Sequence, residues 1–248
     1  MRFIKATDYN DLSKKAAGVI AAQLILKPDS VLGLATGSSP VGLYKELIYK
    51  NTVGVVDFSQ AKTVNLDEYI GLSQSHEQSY FYFMHDNLFN HINAREENIN
   101  LPNGCAEDMD KECLRYDKLI DDLGGIDMQL LGIGNNGHIA FNEPSDHFTK
   151  GTNLVHLTDN TIQANARFFE GDMSKVPTMA ISMGIKSIMQ ARKILIVISG
   201  SSKAQTLYDA FFGDITPQVP ASILQLHPDV TVVADMEALS VALSKGVF

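Results

Sequence analysis

The sequence predicts a single α/β domain over residues 1–248, built as a doubly wound, mainly parallel sheet with helices on both faces. Short apolar runs alternate with amphipathic segments along the whole chain, as strands and helices do in this fold class. Some of the apolar runs are uninterrupted, such as Ile-Leu-Ile-Val-Ile at 194–198, which indicates strands buried on both faces. A chain of 248 residues that is 45% hydrophobic can fill one core of this kind.

The predicted elements follow one another as strand and helix. The first pair is a strand at 1–4 and a helix at 8–26, in which Leu12, Ala16 and Ile20 recur at helical spacing. Short apolar runs predict further strands at 31–35, 63–66, 128–132, 153–156, 178–182, 193–199 and 230–234. Apolar residues spaced three and four positions apart predict further helices at 41–49, 78–88, 109–123, 160–168, 185–190, 203–212 and 236–244.

Charge and cysteine content exclude several classes of partner. The formal net charge is -9, whereas a nucleic-acid-binding surface needs a basic stripe that displaces counterions from phosphates. Two cysteines are too few for a disulfide scaffold, and Met1–Lys5 lacks the apolar region of a signal peptide. The longest apolar-rich stretch, 16–26, is about half as long as a membrane span. We therefore expect a cytoplasmic protein that binds neither nucleic acid nor membrane.

Four polar or glycine-rich turns follow predicted strands. They lie at 36–40, 67–69, 132–144 and 200–203. In an open parallel sheet the ligand binds at the carboxyl ends of the strands, near the point where the strand order reverses. We therefore expect these four turns to share one cleft.

Two of these turns are suited to a phosphate group. The turn at 36–39 leads through Pro40 into a helix, so that N–H groups, hydroxyls and the helix dipole converge on an anion, although an ordinary capped turn explains the motif equally well. Lys203 begins another helix, where the dipole disfavours a cation, and a bound anion would explain its position. Arg167 could be a second cation, but its periodicity alone indicates a solvated helix residue.

Acid–base groups are concentrated in the other two turns. Asp67 and Glu68 directly follow a strand. Burying carboxylates at such a position is costly unless they have a function or a partner. We therefore expect one of them to point into the cleft and to act as a base that removes a proton from carbon. A helix cap by Asp67 is the simpler alternative. His138 and Glu143 resemble a base and its orienting carboxylate. A structural loop histidine remains possible, and so does a metal site that adds Asp146 and His147, although its spacing matches no zinc motif.

The glycine-rich loop also matches a dinucleotide-binding pattern. Gly132, Gly134 and Gly137 spell G-x-G-x-x-G after an apolar strand, a pattern that places a pyrophosphate at the start of a long helix. Pro144 follows seven residues after the third glycine and would end such a helix. We therefore expect this loop to present side chains rather than to bind a dinucleotide.

Two motifs carry a family resemblance. Leu-Asp-Glu-Tyr-Ile-Gly-Leu at 66–72, followed by Gly-His-Ile-Ala-Phe-Asn-Glu-Pro at 137–144, resembles the glucosamine-6-phosphate deaminase family, and the similarity extends to about Asp235. The resemblance implies a modified doubly wound α/β fold and the conversion of glucosamine 6-phosphate and water to fructose 6-phosphate and ammonia. It implies a small sugar phosphate as the substrate, and neither a metal nor an organic cofactor.

The resemblance also implies roles for individual residues. Asp67 matches the base that removes the C2 proton of the opened sugar, and His138 matches the ring-opening residue, oriented by Glu143. Asn136 stands where many members have a third acidic residue, so we expect it to position groups rather than to relay protons. The positions that match the family's phosphate-binding residues are Gly37, Ser38, Arg167 and Lys203.

The resemblance leaves regulation and two rival functions to be considered. Long family members are hexamers with an effector site built from basic residues and a C-terminal extension, whereas 153–156 contains no lysine or arginine and the chain stops at Phe248. We therefore expect a monomer without an allosteric effector site. One rival is a 6-phosphogluconolactonase, which needs no enolising carboxylate. The other is a non-catalytic sugar-phosphate sensor, which should carry a DNA-binding module that this sequence does not show.

Overall fold

The computed structural model describes residues 1–248, apart from the side chains of Asn160 and Ala164. Strands and helices alternate along the chain. The strands are β1 Arg2–Ala6, β2 Val31–Leu34, β3 Lys62–Asn65, β4 Asp67–Tyr69, β5 Ile99–Asn100, β6 Met128–Leu131, β7 Asn153–His156, β8 Met179–Ser182, β9 Ile194–Ile198 and β10 Val230–Asp235. The α-helices are α1 Tyr9–Leu26, α2 Val41–Thr52, α3 Tyr80–Asn87, α4 Met109–Asp122, α5 Asp159–Asn165, α6 Ile185–Met189, α7 Ala204–Phe212 and α8 Ser240–Ser244.

The main sheet has seven strands in the order β1-β10-β9-β6-β2-β3-β5. All neighbouring strands run parallel. The chain moves outward from β2 through β3 to β5 and then returns to β6 on the other side of β2. The strand order therefore reverses between β2 and β6, and a crevice is expected at the carboxyl ends of these two strands. The predicted doubly wound α/β fold is confirmed.

The strands beside this crevice are buried on both faces. Every residue of β2, β6 and β9 is buried, which requires cover on both sides of the sheet. Two buried tyrosines also tie helices to the strands that end at the crevice. Tyr44 of α2 donates to the Ala35 carbonyl at 2.5 Å, and Tyr116 of α4 donates to the Asn65 carbonyl at 2.7 Å. These bonds satisfy both hydroxyls and fix the carboxyl ends of β2 and β3.

A second, antiparallel sheet in the order β4-β8-β7 was not predicted. The chain leaves the main sheet at Leu66, whose N–H donates to the Leu34 carbonyl at 3.2 Å and whose carbonyl accepts from Met183 N at 2.7 Å. It then pairs with β8, with Asp67 opposite Ser182. The polar segment 67–69, predicted as a turn, is therefore a short strand, and Asp67 lies where the two sheets meet.

An aromatic cluster packs against the second sheet, apart from the main core. The Tyr69 ring centroid lies 5.9 Å from the centroids of Phe141 and Phe169. Tyr80 adds a ring that stacks on Phe141 at 6.1 Å. This cluster joins the glycine-rich loop, β4 and the segment after α5, so that the three parts carrying the candidate acid–base groups and Arg167 are packed together.

Several element boundaries differ from the predictions for local reasons. α3 starts at Tyr80 rather than 78, because the Ser79 hydroxyl caps it by accepting from Tyr82 N. α8 starts at Ser240 rather than 236, because the Asp235 carboxylate closes a turn by accepting from Ala238 N at 2.8 Å. The helix predicted at 160–168 is α5 followed by a 3-10 turn at Ala166–Phe168. Within the part of the chain that the structure describes, each helix is too short or too polar to span a bilayer.

Candidate active site

Three of the predicted strand-end turns, together with the segment 67–69 that forms β4, meet at one cleft of about 1090 Å³ at the carboxyl edge of the main sheet. Its walls include residues from the turns after β2, β6 and β9, together with β4. Seven of the eight predicted site residues line it, namely Gly37, Ser38, Asp67, Asn136, His138, Arg167 and Lys203. The eighth, Glu143, lies behind the cleft wall, where it contacts His138 and Asn136. The cleft therefore brings the candidate acid–base groups and the candidate phosphate-binding groups into one space.

Asp67 presents a nearly buried carboxyl to the cleft. Its residue is 5% exposed, and burial together with the neighbouring Glu68 carboxylate raises the pKa of Asp67 to about 8. The alternative that Asp67 caps a helix is wrong, because Ser79 supplies the cap of α3. A carboxyl with a raised pKa that reaches into a cleft can act as a strong base toward a proton on carbon.

Glu68 points away from Asp67, since successive residues of a strand face opposite sides. One of its oxygens accepts from the backbone N–H groups of Tyr69 and Tyr80, both at 2.8 Å, and the other accepts from Phe81 N at 2.9 Å. Burial raises the pKa of Glu68 to about 7, while these three N–H groups oppose the rise. Of the two adjacent carboxylates, Asp67 thus faces the cleft and Glu68 binds backbone.

The glycine-rich loop holds an imidazole beside a carboxylate. His138 Nδ1 lies 3.5 Å from Glu143 Oε1, at ion-pair distance but outside hydrogen-bond geometry. Glu143 accepts from Asn136 Nδ2 at 2.6 Å and from the Thr161 hydroxyl. Burial raises the pKa of Glu143, but His138, Thr161 and Asn136 outweigh it and hold that pKa below its ordinary value. Glu143 is therefore an anion that can orient and stabilise a protonated imidazole.

Gly134 explains part of the glycine-rich pattern. A Cβ atom on Gly134 would lie 2.3–2.4 Å from three atoms of the His138 ring. The ring thus packs directly over the backbone at this position, where only glycine leaves room. Residues 132–144 contain no helix in the structure, so this stretch cannot place a pyrophosphate at a helix start as a dinucleotide-binding loop does. Among the described side chains, no group of three or more His, Cys, Asp or Glu could hold a metal ion.

Two cations stand at the other end of the cleft. Burial, assisted by the positive charge of Arg167, lowers the pKa of Lys203 to about 8. Arg167 Nη2 lies 3.5 Å from the Ser38 hydroxyl, and the Arg167 guanidinium stacks on Phe168 at 4.7 Å from the ring centroid. Among the described ion pairs, none includes either cation. Two cations close together without a carboxylate are repulsive, so this end of the cleft is suited to an anion.

The turn after β2 completes the anion-binding end. Among the described side chains, none caps the first turn of α2. An ordinary capped turn would need the Ser38 or Ser39 hydroxyl to accept from the backbone N–H groups of that turn, and neither does. The Tyr9 hydroxyl supports this turn from α1, since it accepts from Gly42 N at 2.9 Å and lies 3.0 Å from the Ser38 carbonyl oxygen. The turn lines the same cleft as Lys203.

Several residues that support the site were not identified from the sequence. Asp235 accepts from the Ser199 hydroxyl and, at 3.1 Å, from Gly200 N. These bonds fix the turn before Lys203, in which Gly200 has a φ of +91° that favours glycine. The role of Asp235 could have been found, because this carboxylate lies at the end of β10, next to the end of β9. Thr161 is on α5, and its contact with Glu143 had no signal in the sequence.

Comparison with known proteins finds similarity along almost the whole chain. The model of a family described as glucosamine-6-phosphate isomerases/6-phosphogluconolactonase matches residues 8–233. A glucosamine-6-phosphate deaminase of Lachnoclostridium phytofermentans is 60% identical over 237 residues, which cover 96% of this chain and 100% of that protein. One of Clostridioides difficile is 55% identical over 240 residues, which cover 97% of this chain and 96% of that protein.

Solved structures separate a near relative from distant ones. A monomeric glucosamine-6-phosphate deaminase superimposes with a TM-score of 0.94 at 46% identity, covering 97% of this chain and 99% of that chain. The 6-phosphogluconolactonase of Thermotoga maritima superimposes with a TM-score of 0.75 at 17% identity, covering 94% and 98% of the two chains. The second comparison shows the fold alone, whereas the first is close in both sequence and structure.

Proposed function

The chain belongs to the glucosamine-6-phosphate isomerase/6-phosphogluconolactonase family, and from this premise we propose that it converts glucosamine 6-phosphate and water to fructose 6-phosphate and ammonia. The observation that carries the proposal is the composition of one cleft. It combines Lys203 and Arg167, which have no carboxylate partner among the described residues, with a buried carboxyl at Asp67. Relatives at 55–60% identity bear the name glucosamine-6-phosphate deaminase, which supports this substrate.

The phosphate end anchors the sugar. Lys203 and Arg167 bind the phosphate oxygens, and the turn with Gly37 and Ser38 adds N–H and hydroxyl groups. Binding energy from this non-reacting group holds C1 and C2 beside Asp67, so that proton transfer becomes effectively intramolecular.

Ring opening comes first and uses the glycine-rich loop. His138 moves a proton between the anomeric hydroxyl and the ring oxygen, which yields the open aldehyde. Glu143 is the anion beside Nδ1 that stabilises the imidazolium in this step. Asn136 donates to Glu143 Oε2 at 2.6 Å and so holds the carboxylate in place, a role that an amide can fill without a proton transfer.

Asp67 then carries out the isomerisation. Its ionised carboxylate takes the proton from C2 of the open amino sugar while the ammonium group on C2 gives a proton to O1, which leaves an enolamine between C1 and C2. The protonated carboxyl, whose proton can exchange with solvent, then protonates C1. The product has an imine at C2. Water adds to this carbon, the nitrogen leaves as ammonia, and the ketone of fructose 6-phosphate remains.

The lactonase alternative is disfavoured by both chemistry and similarity. Hydrolysis of a lactone needs no group that removes a proton from carbon, whereas Asp67 is a buried carboxyl with a raised pKa in the cleft. The 6-phosphogluconolactonase structures are 16–17% identical to this chain, far below the 55–60% of the deaminase relatives.

A direct assay distinguishes the alternatives. Purified protein is incubated in parallel with glucosamine 6-phosphate and with 6-phosphogluconolactone, and ammonia and acid are measured. We expect ammonia and a ketose phosphate from the first substrate and no acid above background from the second. Acid production without ammonia would establish a lactonase, and saturable binding without turnover of either compound would establish a sensor.

The proposal extends to the state of the protein. We propose a cytoplasmic monomer without an effector site. Its similarity to a monomeric deaminase supports the oligomeric state, and the free thiols of Cys105 and Cys113 suit a reducing compartment. Light scattering should give the mass of one chain, 27.2 kDa, and velocity should depend hyperbolically on substrate. A sigmoidal curve relieved by N-acetylglucosamine 6-phosphate would contradict the absence of an effector site.

A further inference from the structure

Glu68 is a buried carboxylate that the mechanism above does not use. It is 3% exposed and adjoins Asp67 in β4, but its side chain lies on the opposite face of the strand. The three backbone N–H groups that donate to it come from Tyr69 of β4 and from Tyr80 and Phe81 of α3. A single side chain therefore joins the strand that carries Asp67 to the beginning of α3.

The contacts of Glu68 favour its charged form. The N–H groups of Tyr80 and Phe81 belong to the first turn of α3, where amide groups lack helical partners and the helix dipole is positive. A carboxylate that accepts three N–H groups is stabilised as an anion. The Asp67 carboxyl accepts no hydrogen bond among the described contacts. When the two adjacent carboxyl groups share one negative charge, the charge resides on Glu68 and the proton on Asp67.

We propose that Glu68 is a positioning residue, whose ionised carboxylate fixes β4 against α3 and keeps the adjacent Asp67 a stronger base than a lone aspartate would be. The inference rests on the proposed function only for the role of Asp67 in the reaction. A negative charge on the neighbouring residue opposes ionisation of Asp67, and a base with a higher proton affinity removes a proton from carbon more effectively.

The titratable groups other than Glu68 are buried tyrosines near Asp67 or lie elsewhere on the cleft wall. Buried tyrosines face Asp67 from three elements, and burial raises the pKa of each, so they stay neutral; they are Tyr69 of β4, Tyr80 of α3 and Tyr116 of α4. Opposite Glu68, Ile181 of β8 is uncharged, and a Cβ on Gly104 would lie 3.2 Å from Glu68 Cγ. Charged or titratable groups elsewhere on the cleft wall are Tyr9, His138, Arg167 and Lys203.

Glu68 also places a ring in the cleft. Tyr80, whose N–H it accepts, lines the cleft and stacks on Phe141 with an interplanar angle of 10°. A loss of the Glu68 contacts should therefore shift both the basicity of Asp67 and the position of this ring. A merely structural role would affect stability and ring position but would leave the titration of Asp67 unchanged.

The test is the titration of Asp67 itself. Carboxyl carbon NMR of protein labelled at aspartate, with Asp67 assigned by its absence in Asp67→Asn, gives the pH at which the signal moves. In Glu68→Gln this pH should fall by about one pH unit relative to the wild type. The midpoint of the acidic limb of the kcat/KM profile should move to lower pH by the same amount. Glu68→Asp, which retains the charge, should restore the wild-type value.

A second buried glutamate provides the matched control. Glu112 is 6% exposed, accepts from Asn103 N at 2.7 Å and pairs with Arg115, and Glu112→Gln should leave the Asp67 titration unchanged. An unchanged titration in Glu68→Gln would overturn the inference. If Glu68→Gln does not fold, titration of wild-type Asp67 at the pH of an ordinary aspartate would overturn it.

The titration separates this inference from the proposed function because it needs no substrate. A wild-type protein that releases no ammonia, but whose Asp67 titration responds to Glu68→Gln as described, would refute the function and leave the role of Glu68 standing. Ammonia release by a protein whose Asp67 titration does not respond to Glu68→Gln would support the function and refute the role of Glu68.

Discussion

At the scale of single residues, the ionisation of Asp67 opposes folding. Its pKa of about 8 in the folded protein lies above the value of about 3.9 for an aspartate in an unfolded chain. At this group the folded state therefore binds more protons between these two pH values, and the contribution of Asp67 to stability falls as pH rises from about 4 to about 8. The carboxyl that makes the site reactive thus destabilises the folded state when it is ionised.

Replacement of Asp67 by asparagine should therefore stabilise the protein while it removes the base. At pH 8.5 we expect the free energy of unfolding to rise by on the order of 0.5–2 kcal/mol, with the gain shrinking toward pH 4 as the wild-type carboxyl becomes protonated in both states. Denaturant unfolding at several pH values measures this. A variant less stable than the wild type at pH 8.5 would contradict the account.

Lys203 is the residue-scale counterpart at the phosphate end. Its pKa of about 8 means that the amine is charged below this pH and neutral above it. In Lys203→Met we expect KM for glucosamine 6-phosphate to rise about 10- to 100-fold through the loss of a charged hydrogen bond, with a smaller change in kcat. We also expect kcat/KM of the wild type to decline above about pH 8, as the amine loses its proton, and this decline to be absent in Lys203→Met.

Lys118 is a suitable control for this substitution. It is exposed and pairs with Asp122 on α4, away from the cleft. Lys118→Met should leave KM unchanged, because an exposed ion pair contributes little. An unaltered KM in Lys203→Met, or an alkaline decline that persists in it, would show that Lys203 does not bind the phosphate.

At the scale of elements, the glycine-rich loop works because its backbone leaves room for His138. Gly134→Ala would introduce a Cβ within 2.4 Å of the ring, so the ring must move. We expect kcat to fall about 100-fold, as a displacement of about 1 Å typically causes, while the thermal midpoint changes little. Gly18→Ala in α1, where the new Cβ meets no atom outside the helix's own backbone and the neighbouring residues within 4 Å, should retain full activity. Retained activity in Gly134→Ala would contradict the role of the ring.

The elements that the sequence predicted well are those with a periodic apolar pattern. β7 occurs at 153–156 as predicted, and α2, α4 and α7 lie within three residues of their predicted bounds. β4 and β5 were not predicted, because three and two residues cannot show a period and Asp67–Tyr69 carries two carboxylates. The second sheet was not predicted either, because the departure of the chain from the main sheet at Leu66 depends on distant backbone partners.

At the scale of the whole molecule, the site was predictable to the extent that sheet topology determines it. The turns with Ser38, Asp67, His138 and Lys203 could be expected to meet, because the carboxyl ends of parallel strands share one edge. The supporting contacts could not be deduced, because they join residues far apart in sequence. Thr161 reaches Glu143 from 18 residues away, and Asp235 reaches Ser199 from 36. Such pairs are determined by packing rather than by local pattern.

The central claim is that, in one cleft, Lys203 binds the phosphate of the sugar and Asp67 removes the proton from C2. The most direct measurement is exchange of the C2 hydrogen of glucosamine 6-phosphate with deuterated solvent, followed by NMR in the wild type and in Asp67→Asn. We predict rapid exchange in the wild type and a rate lower by a factor of about 10²–10⁴ in the variant, with inhibition by inorganic phosphate retained. Exchange at the wild-type rate in Asp67→Asn would contradict the account.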